Sequence, residues 1–141
     1  MGNPLNSRSK VNLSPHHRAI EKAVVLVVED EFLIRIDISE ALRAAGYKVV
    51  ECSSADEALE LLCSGVLVDL VFTDIRLPGE MDGLDFAKWV QAERSNIPVI
   101  VTSAEQPRHD VNAPFIPKPY SHQNVIQRIR SSLGTSEGPP R

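Results

Sequence analysis

The sequence predicts an α/β domain whose parallel sheet is covered by helices on both faces. Short apolar runs of strand length alternate with longer segments whose apolar residues recur at helical spacing, and this alternation implies right-handed crossovers between parallel strands. The strand candidates are nearly unbroken apolar runs, as expected where both faces of a strand are buried. We place this domain at residues 22–133. We expect a flexible leader at residues 1–21 and a disordered tail at residues 134–141.

The first half of the domain is predicted to form two strands and two helices. Strand 1 is the run Val24–Val28, and the first helix ends at Gly46, the expected C-cap. Strand 2 is Tyr47–Glu51, and Ser54 with Glu57 forms a capping-box pattern at the start of the second helix. The apolar positions of the two helices are Ile34, Ile38, Ala41, Leu42 and Ala45, then Ala55, Ala58, Leu59 and Leu62.

The second half is predicted to supply three more strands. Strand 3 is Leu70–Thr73, strand 4 is Pro98–Thr102 and strand 5 is the short segment Phe115–Ile116. Asp82 caps the third helix and Ser121 caps the last one. Their apolar residues are Leu84, Phe86, Ala87 and Val90, then Val125, Ile126, Ile129 and Leu133. Five such strands fit a flavodoxin-like, doubly wound, five-stranded parallel sheet of order 2-1-3-4-5.

Composition excludes several classes of protein. The formal net charge of −4 argues against a nucleic-acid-binding protein, which would usually carry a basic face. No apolar run approaches the roughly 20 residues needed to span a membrane, and the N-terminus has no hydrophobic signal core, so we expect a cytoplasmic protein. Cys52 and Cys63 fit no CxxC or zinc spacing and are interpreted as free thiols.

Charged and polar side chains stand at the predicted carboxyl ends of four strands. Glu29 and Asp30 follow strand 1, Asp74 follows strand 3, Ser103 follows strand 4, and Lys118 follows strand 5. In a doubly wound sheet the functional cleft lies at this edge, beside the switch point between strands 1 and 3. We therefore expect these groups to converge.

The acidic groups in this set point to a metal ion. Glu29, Asp30 and Asp74 would repel one another strongly unless a cation neutralised them or protons stayed bound. Mg²⁺ suits a site made of a few carboxylates, waters and a phosphate oxygen. Alternatively, these acids merely cap the following helices, and Asp30 does lie at a plausible N-cap. Capping would explain an acid in one loop, but not acids at the ends of two neighbouring strands.

A lysine and a hydroxyl group complete the candidate site. Lys118 can bind a phosphate oxygen or, before modification, Asp74 itself. Ser103 can donate a hydrogen bond to a phosphoryl oxygen. Thr102 competes for this role, because side chains alternate along a strand and only one of the two can face the site.

Four segments resemble, in order, the receiver domain of bacterial two-component response regulators, of the stand-alone, chemotaxis-regulator-like kind. They are Val-Val-Glu-Asp-Glu (27–31), Val-Phe-Thr-Asp-Ile-Arg-Leu-Pro-Gly (71–79) with Met-Asp-Gly-Leu (81–84), Pro-Val-Ile-Val-Thr-Ser-Ala (98–104) and Lys-Pro-Tyr (118–120). The resemblance covers residues 23–133. It implies a signalling switch that depends on Mg²⁺ and catalyses only its own phosphorylation and dephosphorylation.

The resemblance also implies a role for each site residue. Asp74 would be the phosphoacceptor, and a sensor histidine kinase or histidine phosphotransfer protein would be the donor. Asp30 and Asp74 would bind Mg²⁺ directly, Glu29 would act through water, and the backbone carbonyl of Arg76 would complete the protein ligands. Of the remaining residues, Ser103 would supply the hydroxyl group of the site, Lys118 would supply the ammonium group, and Phe115 would be an aromatic switch residue.

One segment departs from the family pattern. Typical receivers place a full helix, helix 4, between strands 4 and 5. Here the segment between Ser103 and Lys118 carries Pro107 and Pro114 and lacks apolar helical periodicity. We predict an irregular loop or at most one turn, so helix 4 is shortened or absent. Pro117 removes a strand donor and indicates an edge position for strand 5.

We expect a single-domain response regulator that acts through a downstream protein target or a phosphorelay. No output domain follows Leu133, so DNA binding is not expected. One alternative is a degenerate, phosphorylation-independent interaction module, although every key side chain is present. A second is a phosphoester hydrolase with Asp74 as nucleophile. Such enzymes commonly need an acid two residues later, where this chain has Arg76.

Overall fold

The computed structural model describes residues 22–107 and 112–134. The predicted leader at residues 1–21, residues 108–111 and the tail from residue 135 lie outside the described residues. In chain order the elements are β1 Val24–Val28, α1 Phe32–Ala44, β2 Lys48–Cys52, α2 Ala55–Cys63, β3 Leu70–Asp74, α3 Gly83–Glu93, β4 Val99–Ser103, β5 Phe115–Pro117 and α4 His122–Leu133.

The strands form one five-stranded parallel sheet of order β2-β1-β3-β4-β5, which confirms the predicted fold class and strand order. β2 and β5 are the two edges, as Pro117 indicated for strand 5. Strands 2 and 4 each begin and end one residue later than predicted. Fraying at strand ends explains a difference of this size.

Two apolar cores lie on opposite faces of the sheet, because successive strand side chains point to opposite sides. In β1, Leu26 and Val28 pack with the helices α2 and α3, whereas Val25 and Val27 pack with α1 and α4. Phe86 of α3 is fully buried in the first core. The continuous apolar run that predicted β1 therefore reflects burial on both faces.

Helix ends follow the predicted capping chemistry. Ser54, Asp82 and Ser121 each accept a hydrogen bond from the backbone N–H three residues later. At the end of α1, Gly46 has φ +105° and its N–H donates to the Arg43 carbonyl, while the next N–H reaches the carbonyl five residues back. This pair of bonds is a Schellman motif, which glycine accommodates without strain.

The segment between β4 and β5 forms no helix in the part that the structure describes, residues 104–107 and 112–114. This agrees with the prediction that helix 4 is shortened or absent. The Gln91 side chain of α3 donates to the carbonyl of Asn112, so α3 holds the end of this segment. The Lys118–Pro119 peptide bond that follows β5 is cis.

Within the described ranges, none of the helices combines the length and the apolar character that a membrane crossing requires.

Candidate functional site

Three carboxylates meet at the carboxyl ends of β1 and β3, which are neighbours in the sheet. One oxygen each of Glu29, Asp30 and Asp74 lies within 4.8 Å of the other two. Glu29 and Asp74 are 3% and 6% exposed, whereas Asp30 is open to solvent. The strand order brings these acids together, because β1 and β3 are adjacent although about 45 residues separate their ends along the chain.

Lys118 joins the two buried carboxylates. Its Nζ donates to Glu29 Oε1 at 2.8 Å and to Asp74 Oδ2 at 2.7 Å, with only 15% of the side chain exposed. Burial opposes the charge on Lys118, but its hydrogen bonds to Asp74 and Glu29 and the negative charges of these carboxylates outweigh burial and raise the pKa of the ammonium. Lys118 is therefore a fixed positive charge facing the acids.

Glu29 is buried, and burial disfavours its charged form. Burial raises its pKa above the ordinary value, and the charge of Asp74 adds to that rise, while the bonds from Lys118 and the Glu31 N–H lower it. The carboxylate is thus only partly compensated within the protein. A further cation at this point would relieve the repulsion that folding has brought about.

The alternative that Asp30 caps α1 is wrong. The N-cap residue of α1 is Glu31, and its side chain makes no capping hydrogen bond. Asp30 precedes the cap and stands with the other two acids instead. The acid cluster therefore needs an explanation other than helix capping.

The two candidate hydroxyl groups have different surroundings. Ser103 lines a cleft of about 390 Å³ together with Ile75 and Arg76, and its Oγ accepts a hydrogen bond from the Glu105 N–H at 3.3 Å. Thr102 Oγ1 is buried and has no hydrogen-bond partner. Of the two hydroxyl groups, Ser103 is therefore the one that lines this cleft, together with the two residues that follow Asp74.

Backbone N–H groups near the end of β3 fix the Asp74 side chain and the loop that follows it. The Arg76 N–H donates to Asp74 Oδ1 at 3.0 Å, and the Gly83 N–H donates to the Ile75 carbonyl at 2.8 Å. The Arg76 side chain is exposed and pairs with the equally exposed Glu105 across the mouth of the cleft. The backbone of Arg76 is therefore beside the acids, while its guanidinium points away to another partner.

The residues present fit Mg²⁺. The donors are oxygens, two of the three carboxylates are buried, and a single ammonium leaves an excess of two negative charges among Glu29, Asp30, Asp74 and Lys118. Carboxylate oxygens in this number, with room for water, are the ligand set that Mg²⁺ prefers. Neither a zinc-type set nor a thiolate is available here, since Cys52 is buried in the apolar core and Cys63 is exposed elsewhere.

Phe115 lies apart from the acids, at the start of β5. It is partly buried against the core that contains α2 and α3, and it pairs with Val101 of β4 in the sheet. Lys118 comes three residues later in the chain. Its place in the sheet links it to the site through β4 and β5 rather than by direct contact.

Sequence reasoning missed Arg35 and Tyr120 as neighbours of the site. Arg35 donates to the Glu29 carbonyl, and the pKa of Tyr120 is raised to about 12 by burial and by the charge of Glu29. Tyr120 packs edge-on against Phe72 of β3. The Lys-Pro-Tyr segment carried a signal for Tyr120, but no local pattern pointed to Arg35.

Known proteins resemble this chain in sequence. A model of the response regulator receiver domain matches residues 25–130. The transcriptional regulatory protein PdtaR of Mycobacterium tuberculosis is 35% identical over 117 residues, covering 77% of this chain and 56% of PdtaR. The sensor kinase CckA of Brucella abortus is 34% identical over 119 residues, covering 79% of this chain and 12% of the kinase. The chain spans about half the length of the first curated regulators that it matches.

Solved structures resemble it in fold. A response regulator receiver protein from Sinorhizobium medicae aligns with a TM-score of 0.75 and 27% identity, over 82% of this chain and 97% of that protein. The receiver domain of the hybrid histidine kinase CckA aligns with a TM-score of 0.69 and 29% identity, over 79% of this chain and 99% of that domain. The similarity thus covers nearly all of both solved domains.

Proposed function

The chain belongs to the response regulator receiver domain family, and on that premise we propose that it accepts a phosphoryl group on Asp74 from a phosphohistidine. The donor is a sensor histidine kinase or a histidine phosphotransfer protein, the partners with which receiver domains interact. The observation that carries the proposal is the convergence of Glu29, Asp30 and Asp74 within 4.8 Å, with Lys118 Nζ bonded to two of them.

The chemistry assigns Asp74 as a carboxylate nucleophile. One of its oxygens attacks the phosphorus of phosphohistidine, forming the acyl phosphate bond as the bond from phosphorus to the imidazole nitrogen breaks. The imidazole leaves with the bonding electron pair. Lys118, which donates to Asp74 Oδ2, and the Ser103 hydroxyl are proposed to donate to the oxygens of the transferring group, and phosphoryl transfer relies mainly on such positioning and charge stabilisation.

Mg²⁺ would neutralise the acid cluster and the phosphoryl oxygens when it is bound. Asp30 and Asp74 would hold it directly, Glu29 through water, and the backbone carbonyl of Arg76 would be the fourth protein group. Two points support this set: the oxygen donors and the excess of two negative charges among Glu29, Asp30, Asp74 and Lys118. The domain is a signalling switch whose only catalysis is its own phosphorylation and dephosphorylation.

The test is mass spectrometry after incubation with acetyl phosphate and Mg²⁺. The wild-type chain should gain the mass of one phosphoryl group, and Asp74→Asn should gain none because an amide cannot form the acyl phosphate. Asp85→Asn is the matched control: it makes the same chemical change at an exposed position on the first turn of α3, and it should label like the wild type.

Omission of Mg²⁺, or chelation with EDTA, should lower the rate of labelling. Persistent labelling of Asp74→Asn would move the acceptor to another residue. Failure of the wild type to label with acetyl phosphate or to respond to beryllofluoride would favour the phosphorylation-independent interaction module. The grouping of Glu29, Asp30 and Asp74 with Lys118 supports phosphoryl acceptance over that alternative.

The signal is proposed to leave the domain through protein contact or a phosphorelay, in the cytoplasm. Phosphorylation would draw Ser103 toward the phosphoryl group, and Phe115 would then move into the space that opens, which is a shift between two packings. Because no helix lies between β4 and β5 in the described residues and β4 itself is buried, the surface proposed for the partner is formed by the edge strand β5 and by α4. Contact with neither a membrane nor a nucleic acid is part of this proposal.

A further inference from the structure

Arg35, on the first turn of α1, contacts the backbone of the loop that carries two of the acids. Its Nη1 donates to the Glu29 carbonyl at 2.8 Å, and its Nε donates to Glu51 Oε1 at 3.3 Å. The side chain is 16% exposed and lies 5.5 Å from the centre of the Phe32 ring. A guanidinium in this place ties the loop after β1 to the end of β2.

We propose that Arg35 is a positioning residue for Mg²⁺: it fixes the backbone of Glu29 and thereby orients the carboxylates of Glu29 and Asp30. This inference rests on the proposed function and deepens it. Arg35 donates to a carbonyl of the loop and to no carboxylate of the acid cluster, so it acts on the ligands only through the backbone.

The backbone of Glu29 is held at both of its polar groups. Its N–H donates to the Cys52 carbonyl at 3.0 Å, which continues the pairing of β1 with β2, and its carbonyl accepts from Arg35. Asp30 comes next in the chain, and α1 begins behind it without a side-chain cap. The peptide that joins Glu29 to Asp30 is therefore anchored on one side by the sheet and on the other by Arg35.

Arginine suits this task better than lysine. The planar guanidinium presents several donors in a fixed fork, so it can bind the loop carbonyl and Glu51 at once in a set geometry. A lysine ammonium would keep the charge, but its single nitrogen on a flexible stem would have to choose between the two acceptors or hold both loosely. Arg35→Lys is therefore a test of geometry at constant charge.

The charge of Arg35 and its proposed positioning role predict opposite effects of removing Arg35 on the affinity for Mg²⁺. A cation beside the acid cluster repels Mg²⁺, so removing the charge of Arg35 should tighten metal binding if charge were its only influence. If Arg35 orients the ligands, removal should weaken metal binding. The sign of the change in affinity decides between the two.

Arg43 is the matched control. It lies two turns later on α1, its Nη2 is 3.0 Å from Glu51 Oε2, and its other bonds go to Glu40 and to the Val49 carbonyl. Arg43→Met removes a positive charge and a bond to the same glutamate, as Arg35→Met does. It leaves the bond to the Glu29 carbonyl intact.

The experiment is a titration of metal-free protein with MgCl₂, followed by amide chemical shifts in ¹⁵N–¹H NMR spectra. Wild type, Arg35→Met, Arg35→Lys and Arg43→Met are compared at one ionic strength. We expect the dissociation constant for Mg²⁺ to rise about tenfold in Arg35→Met, the usual effect of losing a group that orients metal ligands. It should rise less in Arg35→Lys, and it should stay the same or fall in Arg43→Met.

A second measurement needs no metal. The Glu31 N–H donates to Glu29 Oε2, so its hydrogen-exchange rate reports whether the loop keeps its shape. This rate should increase in Arg35→Met and stay at the wild-type value in Arg43→Met.

The outcomes separate the two ideas. Wild-type or tighter Mg²⁺ binding by Arg35→Met or by Arg35→Lys would overturn the positioning role and leave the proposed function standing. If Arg35→Met does not fold, Arg35→Lys alone decides, because it preserves the charge. A wild type whose amide shifts do not respond to Mg²⁺ would overturn the proposed function and this inference with it.

Discussion

Gly83 is the position at which a single methyl group should damage both the fold and the site. A Cβ built on Gly83 would lie 1.6 Å from the carbonyl oxygen of Asp74 and 2.9 Å from the Cα of Ile75. Both neighbours are backbone atoms, so no side chain can swing away to make room. In Gly83→Ala, the start of α3 must therefore separate from the end of β3.

The structure sets the size of the effect. Carbon and oxygen atoms need a separation of roughly 3 Å or more, so the contact must open by more than about 1 Å. Overpacking of this kind costs about 1–3 kcal/mol. Loss of the hydrogen bond from the Gly83 N–H to the Ile75 carbonyl lowers the free energy of unfolding by about 1 kcal/mol more. The better helix propensity of alanine offsets at most about 1 kcal/mol of this loss. We expect the free energy of unfolding to fall by about 1–4 kcal/mol.

Urea unfolding followed by circular dichroism measures this loss, and Gly46→Ala is the control. Gly46 has φ +105°, and a Cβ there would meet no atom within 4 Å, so its substitution costs only the left-handed backbone strain of about 1–2 kcal/mol. Gly83→Ala should also slow labelling of Asp74 by acetyl phosphate, because the displaced carbonyl belongs to Asp74 itself. Gly46→Ala should label normally. A Gly83→Ala variant that is as stable as the wild type and labels at the same rate would refute this reasoning.

Three further predictions concern groups outside the acid cluster. Ser39 Oγ is buried without a hydrogen-bond partner, so Ser39→Ala should raise the free energy of unfolding by about 0.5–1.5 kcal/mol in urea; a decrease would reveal a missing partner. Exposed Cys63 should react with Ellman's reagent in the native protein and Cys52 only after denaturation, because burial raises the pKa of the Cys52 thiol to about 12. Burial also raises the pKa of Tyr120 to about 12. Stability from its protonated form is full below its ordinary pKa of 10.0 and is lost as the pH rises toward 12. Ultraviolet titration of Tyr47→Phe, which leaves one tyrosine, should show this late ionisation, and a midpoint near 10 in the folded protein would contradict it.

Local sequence signals predicted most of the fold. The run Val24–Val28 reads as a strand buried on both faces, and Ser54 and Asp82 read as caps, because each depends on a few neighbouring residues. The absence of a helix in the described parts of the segment between β4 and β5 was predicted from Pro107 and Pro114 in the same way. These features are encoded within a turn or two of chain, so a single sequence is enough to find them.

Contacts between elements were harder to predict. Asp30 was consistent with both a cap and a cluster member, and only the position of α1, which begins after Glu31, separates the two. Ser103 and Thr102 could not be ranked from alternation alone, since that requires knowing which face of β4 meets the site. Arg35 donates to Glu51, which is 16 residues away in the chain, because α1 packs on β2. No periodic pattern in the sequence predicts such a pair.

The route by which a modified Asp74 could influence the rest of the domain runs through β4 and β5. Lys118 bonds to Asp74, and its backbone N–H donates to the Ser103 carbonyl at 2.9 Å, so the ends of both strands meet at the site. A phosphoryl group on Asp74 would compete with Glu29 for the Lys118 ammonium and would attract the Ser103 hydroxyl. The change in charge would therefore act on the ends of both β4 and β5. Phe115 begins the same three-residue strand that Lys118 follows, and a shift there reaches it without crossing any helix. Under the proposed function, β5 would therefore couple the charge at Lys118 to the apolar packing of Phe115.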